Sequence, residues 1–305
     1  MISKAFVQFV FSLASVPLAL AASPLKVVTT LPDLAEVVRE VGGAEVAVES
    51  LLRGTEDAHF TDAKPSFIVK VAGADIFCQV GLGLEVGWVP KVLSKSANAK
   101  VQSGGPGYCE AGKSVRVIDV AHGPVDRSMG DVHPQGNPHF YLAPGALAEA
   151  SVEIQRVLTA QRPERAAIFA ENQKRFVSRM TSLKVEIARK LAGLSGAAFA
   201  EYHKDFGYFF KAYNLNSIGS IEEKPGVLPS AARLASVATE ARTRQVRAAL
   251  GTNHSPERQM KKFGELSSIR VLIVPGGVLT ANERFDSIEK VQHAIADAIL
   301  SVKAP

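Results

Sequence analysis

The sequence predicts an α/β protein of two lobes, each a mostly parallel sheet flanked by helices, joined by one long rigid helix. Three observations predict it. Short β-branched runs alternate with amphipathic helical stretches over the first half of the chain. From Pro163 to Leu194 the only glycine is Gly193 and no internal proline occurs. Beyond that stretch the alternation resumes. The resulting division is a signal peptide at 1–22, an N-terminal lobe at 23–160, a connecting helix at 161–194 and a C-terminal lobe at 195–305.

The elements follow in order. KVVTT (Lys26–Thr30) is a strand, and Pro32 opens a helix whose Leu34, Val37, Val38 and Val41 share a face before Gly42 and Gly43 end it. VAVESLL is a second strand, KPSFIVKVAGA a helix with Pro65 near its start, DIFCQVG a third strand, and VRVIDV (Val115–Val120) a fourth. In the middle, Phe169, Phe176, Met180, Leu183, Ile187 and Leu191 recur at helical spacing. Roughly 30 residues at 1.5 Å each make a rod of about 45 Å, which suits either a surface helix or a connector between lobes. Then come the strand AAFAEY, the helix DFGYFFKAYN, the strand LNSIGSI, the helix SAARLASVATEART, the strands VRAAL and VLIVP, and the helix SIEKVQHAIADAIL.

Composition narrows the function classes. A chain of 305 residues with 47% hydrophobic and 21% charged residues has ample core for a globular protein. The formal charge is +5, but no run of Lys and Arg exceeds two residues. A solvated basic surface explains that better than nucleic-acid binding. At the N-terminus, Lys4 precedes an apolar run from Ala5 to Leu20 and the small-x-small triplet Ala19-Leu20-Ala21. This is an export signal cleaved after about Ala21 or Ala22. Gln8, Ser12, Ser15 and Pro17 interrupt the run, so it is a poor membrane span. No cysteine follows the cleavage site, so the expected product is a free, exported protein and not a lipoprotein. Cys78 and Cys109, the chain's two cysteines, are a disulfide candidate in an oxidising compartment; the alternative is a buried thiol at Cys78.

Three histidines stand at element edges. His59 lies in RGTEDAHFTDAKPS, between the second strand and the next helix. His139 follows Pro138 in GDVHPQGNPHFYLAP, and His203 follows the strand AAFAEY. In open α/β sheets ligands bind beyond the carboxyl ends of strands, where His59 and His203 fall. Taken singly, a loop histidine is more often a solvated side chain than a ligand. His122, His133, His254 and His293 have still less in their surroundings to mark them.

The residues around these histidines resemble the zinc/manganese-type solute-binding proteins of bacterial ABC importers, in their zinc branch. VVTTLPDLAEVVREVGG resembles the opening strand and helix of that family. TEDAHFTDAKPSFIVKVAGADIFCQVGLGLEVGW resembles its first-ligand loop through to Trp88. GNPHFYLAP resembles the second-ligand loop, and EYHKDFGYFFKAYNLNSIGSIEEKPGVLPS the third. The resemblance runs through nearly the whole mature chain in family order.

It implies that His59, His139 and His203 bind the metal in the cleft between lobes. It also implies a carboxylate before the last helix, in TANERFDSIEKVQH. There the pattern departs: alignment on His293 puts Phe285 at the acid position, leaving Asp286 one residue on, with Glu283 as the second choice. A water is the other candidate for the fourth place. Ala143 stands where the family usually has Asp. Nitrogen from His203, where manganese receptors tend to carry Glu, favours Zn²⁺ as transported ligand. The loop before His139, with His122, Asp126, Asp131 and His133, is a sparse version of the family's acid- and His-rich loop. It reads first as an exposed turn and second as a capture site for zinc.

The implied function is a high-affinity periplasmic zinc receptor that hands Zn²⁺ to a cognate ABC permease in the inner membrane. A periplasmic zinc chaperone is a further candidate partner, no nucleic acid is involved, and the chain is expected to be a monomer. Alternatives are a manganese or other divalent-metal receptor, a zinc-binding adhesin or store, and a metalloenzyme with a three-His zinc. No HExxH run is present, so the reading is not an enzyme.

Overall fold

The computed structural model describes residues 23–121, 123 and 132–302. The expected signal peptide, His122, Asp126 and Asp131 lie outside the described residues. Strands β1 (Leu25–Thr29), β2 (Val46–Ser50), β3 (Ile76–Gln79) and β4 (Tyr108–Glu110) form one parallel sheet in the order β2-β1-β3-β4. Strands β5 (Ala198–Glu201), β6 (Asn216–Ser220), β7 (Ala248–Thr252) and β8 (Arg270–Val274) form a second, in the order β6-β5-β7-β8. Around the first sheet lie α1 (Pro32–Gly42), α2 (Pro65–Ala72), α3 (Val89–Ser96) and α4 (Pro144–Gln161). The long α5 (Ala166–Leu191) follows, then α6 (Gly207–Ala212), α7 (Ala231–Thr243), α8 (Glu257–Ser267) and α9 (Ile288–Leu300).

This is the two-lobe α/β architecture expected from the alternation. The stripe Phe169, Phe176, Met180, Leu183, Ile187 and Leu191 on α5 is buried throughout. It packs against α1 and α4 of the first lobe and α9 of the second, so one rod braces both halves. Three helices have weaker sequence signatures: α3, α4 and α8. The buried side of α4 mixes the small Ala146, Ala150 and Ser151 with Leu147, Ile154, Val157 and Leu158. Small residues let two helices approach closely but leave little apolar contrast for a pattern to show. Gly264 and a charged face hide α8, whose buried apolar contribution is Met260 and Phe263.

The fourth strand is a correction. Val115–Val120 does not join the sheet; Tyr108–Glu110 does, with Cys78 directly opposite Cys109. The two cysteines form a disulfide. Both strand-like runs could extend, but only the earlier one reaches β3. The later one runs as extended chain, with Arg116 N–H and guanidinium held by Glu149.

A polar seam joins the lobes. Asp33, in the first turn of α1, accepts the Val278 N–H on both oxygens at 3.1 and 3.2 Å. Three residues on, Glu36 accepts the Ile288 N–H at the start of α9 and the guanidinium of Arg179 from α5. Gly54 has φ +85°, and a Cβ there would lie 2.0 Å from the Val278 carbonyl oxygen. Only glycine permits that approach.

Burial pushes the Asp33 carboxyl up to about 7, with the Val278 N–H opposing. An unfolded Asp ionises near 3.8, so between those values the folded chain holds a proton the unfolded chain lacks. Asp33 therefore makes stability fall as pH rises from about 4 to about 7, by on the order of 4 kcal/mol. Urea unfolding of wild type and Asp33→Asn at pH 4.5 and 7.5 checks the sign. The wild-type advantage should shrink at the higher pH, and growth of that advantage would refute the assignment.

Candidate metal centre

Each of three histidines is aimed by an oxygen on its Nδ1. Asp57 Oδ1 accepts the His59 backbone N–H at 2.9 Å and meets His59 Nδ1 at 2.9 Å. Asn137 Oδ1 repeats the arrangement on His139, at 2.8 Å to the backbone N–H and 3.0 Å to Nδ1. Glu222 Oε2 lies 3.1 Å from His203 Nδ1 and also accepts Gly226 N–H. Asn137 donates its own amide to the Lys204 carbonyl, which fixes Oδ1 as the end facing His139. Carboxylate and amide oxygens only accept, so these contacts place a ring proton on Nδ1 of each histidine.

The backbone around the rings is equally fixed. Trp88, fully buried, donates its indole N–H to the Ala58 carbonyl at 2.8 Å, beside His59. Tyr208 donates to the Asn137 carbonyl at 2.9 Å, and Asn137 N–H bonds to Ile118. His203 follows the carboxyl end of β5, where Glu222 N–H bonds back to Tyr202. Trp88→Phe leaves the Ala58 carbonyl buried without this donor. It should cost about 1–3 kcal/mol in urea unfolding and weaken zinc binding; unchanged values for both would show that the indole does not position the loop.

The three rings converge. Centroids of His59 and His139, and of His59 and His203, are 5.1 Å apart, and those of His139 and His203 are 5.0 Å apart. Imidazoles bound tetrahedrally to one zinc at about 2.0–2.1 Å have centroids about 5.2 Å apart. His139 is 1% exposed, and its Nε2 has no hydrogen-bond partner. A buried acceptor left so is costly unless a cation completes it. Ligand atoms of His139, His203 and Asp205 lie within 4.8 Å of one another, as do those of His59, His133 and His203.

Electrostatics keeps most of these groups in metal-ready form. Burial pushes His139 well down, and neighbouring His203, His59 and His133 add to it. Burial and the His59 and His203 charges push His133 down to about 3. Burial would lower His203 too, but the Glu222 hydrogen bond and the Asp205 and Glu222 charges outweigh it and push the ring up to about 9. A metal must displace that proton. Asp57 is held low because its His59 contacts outweigh burial. A cavity of about 240 Å³ opens beside the centre, with Asp57, Tyr141, Asp205 and His254 on its walls.

Other candidate residues lie elsewhere. Asp286 pairs with Lys290 one turn on, at 2.8 Å, and the Glu283 carbonyl takes the same ammonium. Neither acid belongs to a metal-competent group among the described residues. Phe285, at the aligned acid position, packs against the core. His293 faces Glu186 on α5. Conversely, the sequence reading passed over Asp57, Asn137, Glu222 and Asp205. Asx-x-His occurs at 57–59, 131–133 and 137–139, a spacing that would have marked Asp57 and Asn137. Glu222 is 19 residues from its ring and carries no such local mark.

The zinc-uptake complex component A family, ZnuA, periplasmic, matches residues 27–299. The zinc-binding lipoprotein AdcA of Streptococcus pneumoniae strain R6 is 26% identical over 214 residues, which are 69% of this chain and 42% of that protein. This chain thus spans less than half the length of that relative. The high-affinity zinc uptake system protein ZnuA of Haemophilus ducreyi is 28% identical over 224 residues, 68% of this chain and 70% of that one. Among solved structures, a ZnuA deletion variant with zinc bound superposes with TM-score 0.74 at 21% identity, covering 92% of this chain and 99% of that one. The periplasmic zinc-binding protein TroA of Treponema pallidum gives TM-score 0.75 at 17% identity, covering 92% and 100%. These likenesses share the two-lobe fold. With the family model spanning nearly all the described residues, the chain belongs to the ZnuA family of periplasmic zinc-uptake components.

Proposed function

We propose that this protein is a zinc receptor: it captures Zn²⁺ in the periplasm through His59, His139 and His203 and delivers it to an ABC permease. The observation that carries the reading is the convergence of three rings, each with an oxygen on its Nδ1. Nitrogen donors favour zinc over manganese, a harder ion that prefers oxygen. The curated relatives bear zinc-binding or zinc-uptake names. The disulfide fits an oxidising compartment. Among the described residues no helix is long and apolar enough to cross a membrane. Release after Ala21 or Ala22 as a free, monomeric, non-catalytic protein, loaded directly or by a zinc chaperone, completes the proposal.

Competitive titration of purified residues 23–305 against a chromophoric chelator tests it. One tight zinc per chain is expected, with weaker binding in His59→Ala and His203→Ala. Absence of zinc binding, or several weak ions unaffected by these substitutions, would overturn it.

A further inference from the structure

We propose that His133 is the fourth metal ligand, so that the site holds its cation with four imidazoles; this rests on the metal-receptor reading above. His133 Nε2 lies 3.3 Å from His59 Nε2. For bonds of about 2.0–2.1 Å, the edge of a tetrahedral zinc site is about 3.3–3.4 Å. The His133 ring centroid is 5.3 Å from that of His59 and 6.1 Å from that of His139. Two imidazole nitrogens at this separation share either one proton or one cation.

His133 is seated rather than dangling. Its carbonyl accepts the Gly136 N–H at 3.0 Å. Its ring lies against Gly83, where a Cβ would come within 3.2 Å of Nδ1; Gly83 has φ +88°. The Gly81-Leu82-Gly83-Leu84-Glu85 turn thus leaves space on the first lobe for an imidazole arriving from the later loop. Asp205 is the competing donor, with Oδ1 3.5 Å from His139 Nε2. It lines the cavity of about 240 Å³ with His59, His203 and His254, while His133 lines a second cavity of about 400 Å³ with His139 and His203, so the two candidates approach the rings from different sides. In the proposed arrangement Asp205 offsets the charge of the cation from beside it. Four nitrogen donors bias the site further toward Zn²⁺ and away from Mn²⁺ than three nitrogens and a carboxylate would.

The test combines zinc titration with X-ray absorption counting of imidazoles, on residues 23–305 and its His133→Ala, His133→Asp and Asp205→Asn variants. Expected are four imidazoles in wild type and three in His133→Ala, whose zinc affinity falls on the order of a hundredfold. His133→Asp should narrow the zinc-over-manganese preference at least tenfold, and Asp205→Asn should keep four imidazoles. Three imidazoles plus oxygen in wild type, with affinity unchanged in His133→Ala, would overturn the inference while tight one-to-one zinc binding left the receptor reading standing. Failure of wild type to bind zinc would instead remove both. Circular dichroism of the metal-free variants separates a lost ligand from a lost fold.

Discussion

His139→Ala should lower zinc affinity by several hundredfold while leaving the metal-free protein as stable as wild type or more so. Structural zinc sites bind with about 10–16 kcal/mol, or about 3–4 kcal/mol for each of four ligands. The stability expectation follows from the unpartnered Nε2 of the buried ring. Its burial has a cost in the empty protein that removal relieves, which offsets the small void left behind. Two measurements are needed. Chelator competition should show the affinity loss. Thermal unfolding with and without zinc should show that the large zinc-dependent rise in melting temperature in wild type is nearly abolished in the variant. His293→Ala is the control, since His293 faces Glu186 on the outer side of α9 and should leave both readouts unchanged. A metal-free His139→Ala protein far less stable than wild type would mean that the ring serves packing, and the site assignment would weaken accordingly.

Removing the Cys78–Cys109 bridge, as Cys78→Ala with Cys109→Ala, should cost about 4 kcal/mol for a loop of this size. The two cysteines are 31 residues apart in sequence and opposite one another in β3 and β4. β4 is a three-residue edge strand, too short to hold its place by ladder bonds alone. The chain leaving it leads to the segment that carries His133 and His139, so the bridge also anchors the approach to the metal centre. Urea unfolding should show the loss. Reductant should bring wild type down to the level of the double variant and leave the variant itself unmoved. Equal stability of the oxidised wild type and the variant would show that the strand needs no covalent tether.

The site was partly legible before any fold was known. His59, His139 and His203 stand out because each sits where an element ends, in surroundings that resemble a known family. Their partners Asp57 and Asn137 were legible in principle, two residues ahead of the rings they hold. His133 was not: in sequence it belongs to a loop rich in proline and glycine, and such loops usually face water. Asp286 belongs to no metal-competent group among the described residues. Its carboxylate pairs with Lys290 on the helix that follows.

The sequence by itself determined the α/β alternation and the long brace between lobes, because periodicity and turn chemistry are local and act within a few residues. Which extended run becomes β4, whether the cysteines meet, and which side chains come to lie beside the three rings were decided by the tertiary structure. Those outcomes depend on distances between segments tens of residues apart, and such distances exist only once the sheets have been packed against their helices.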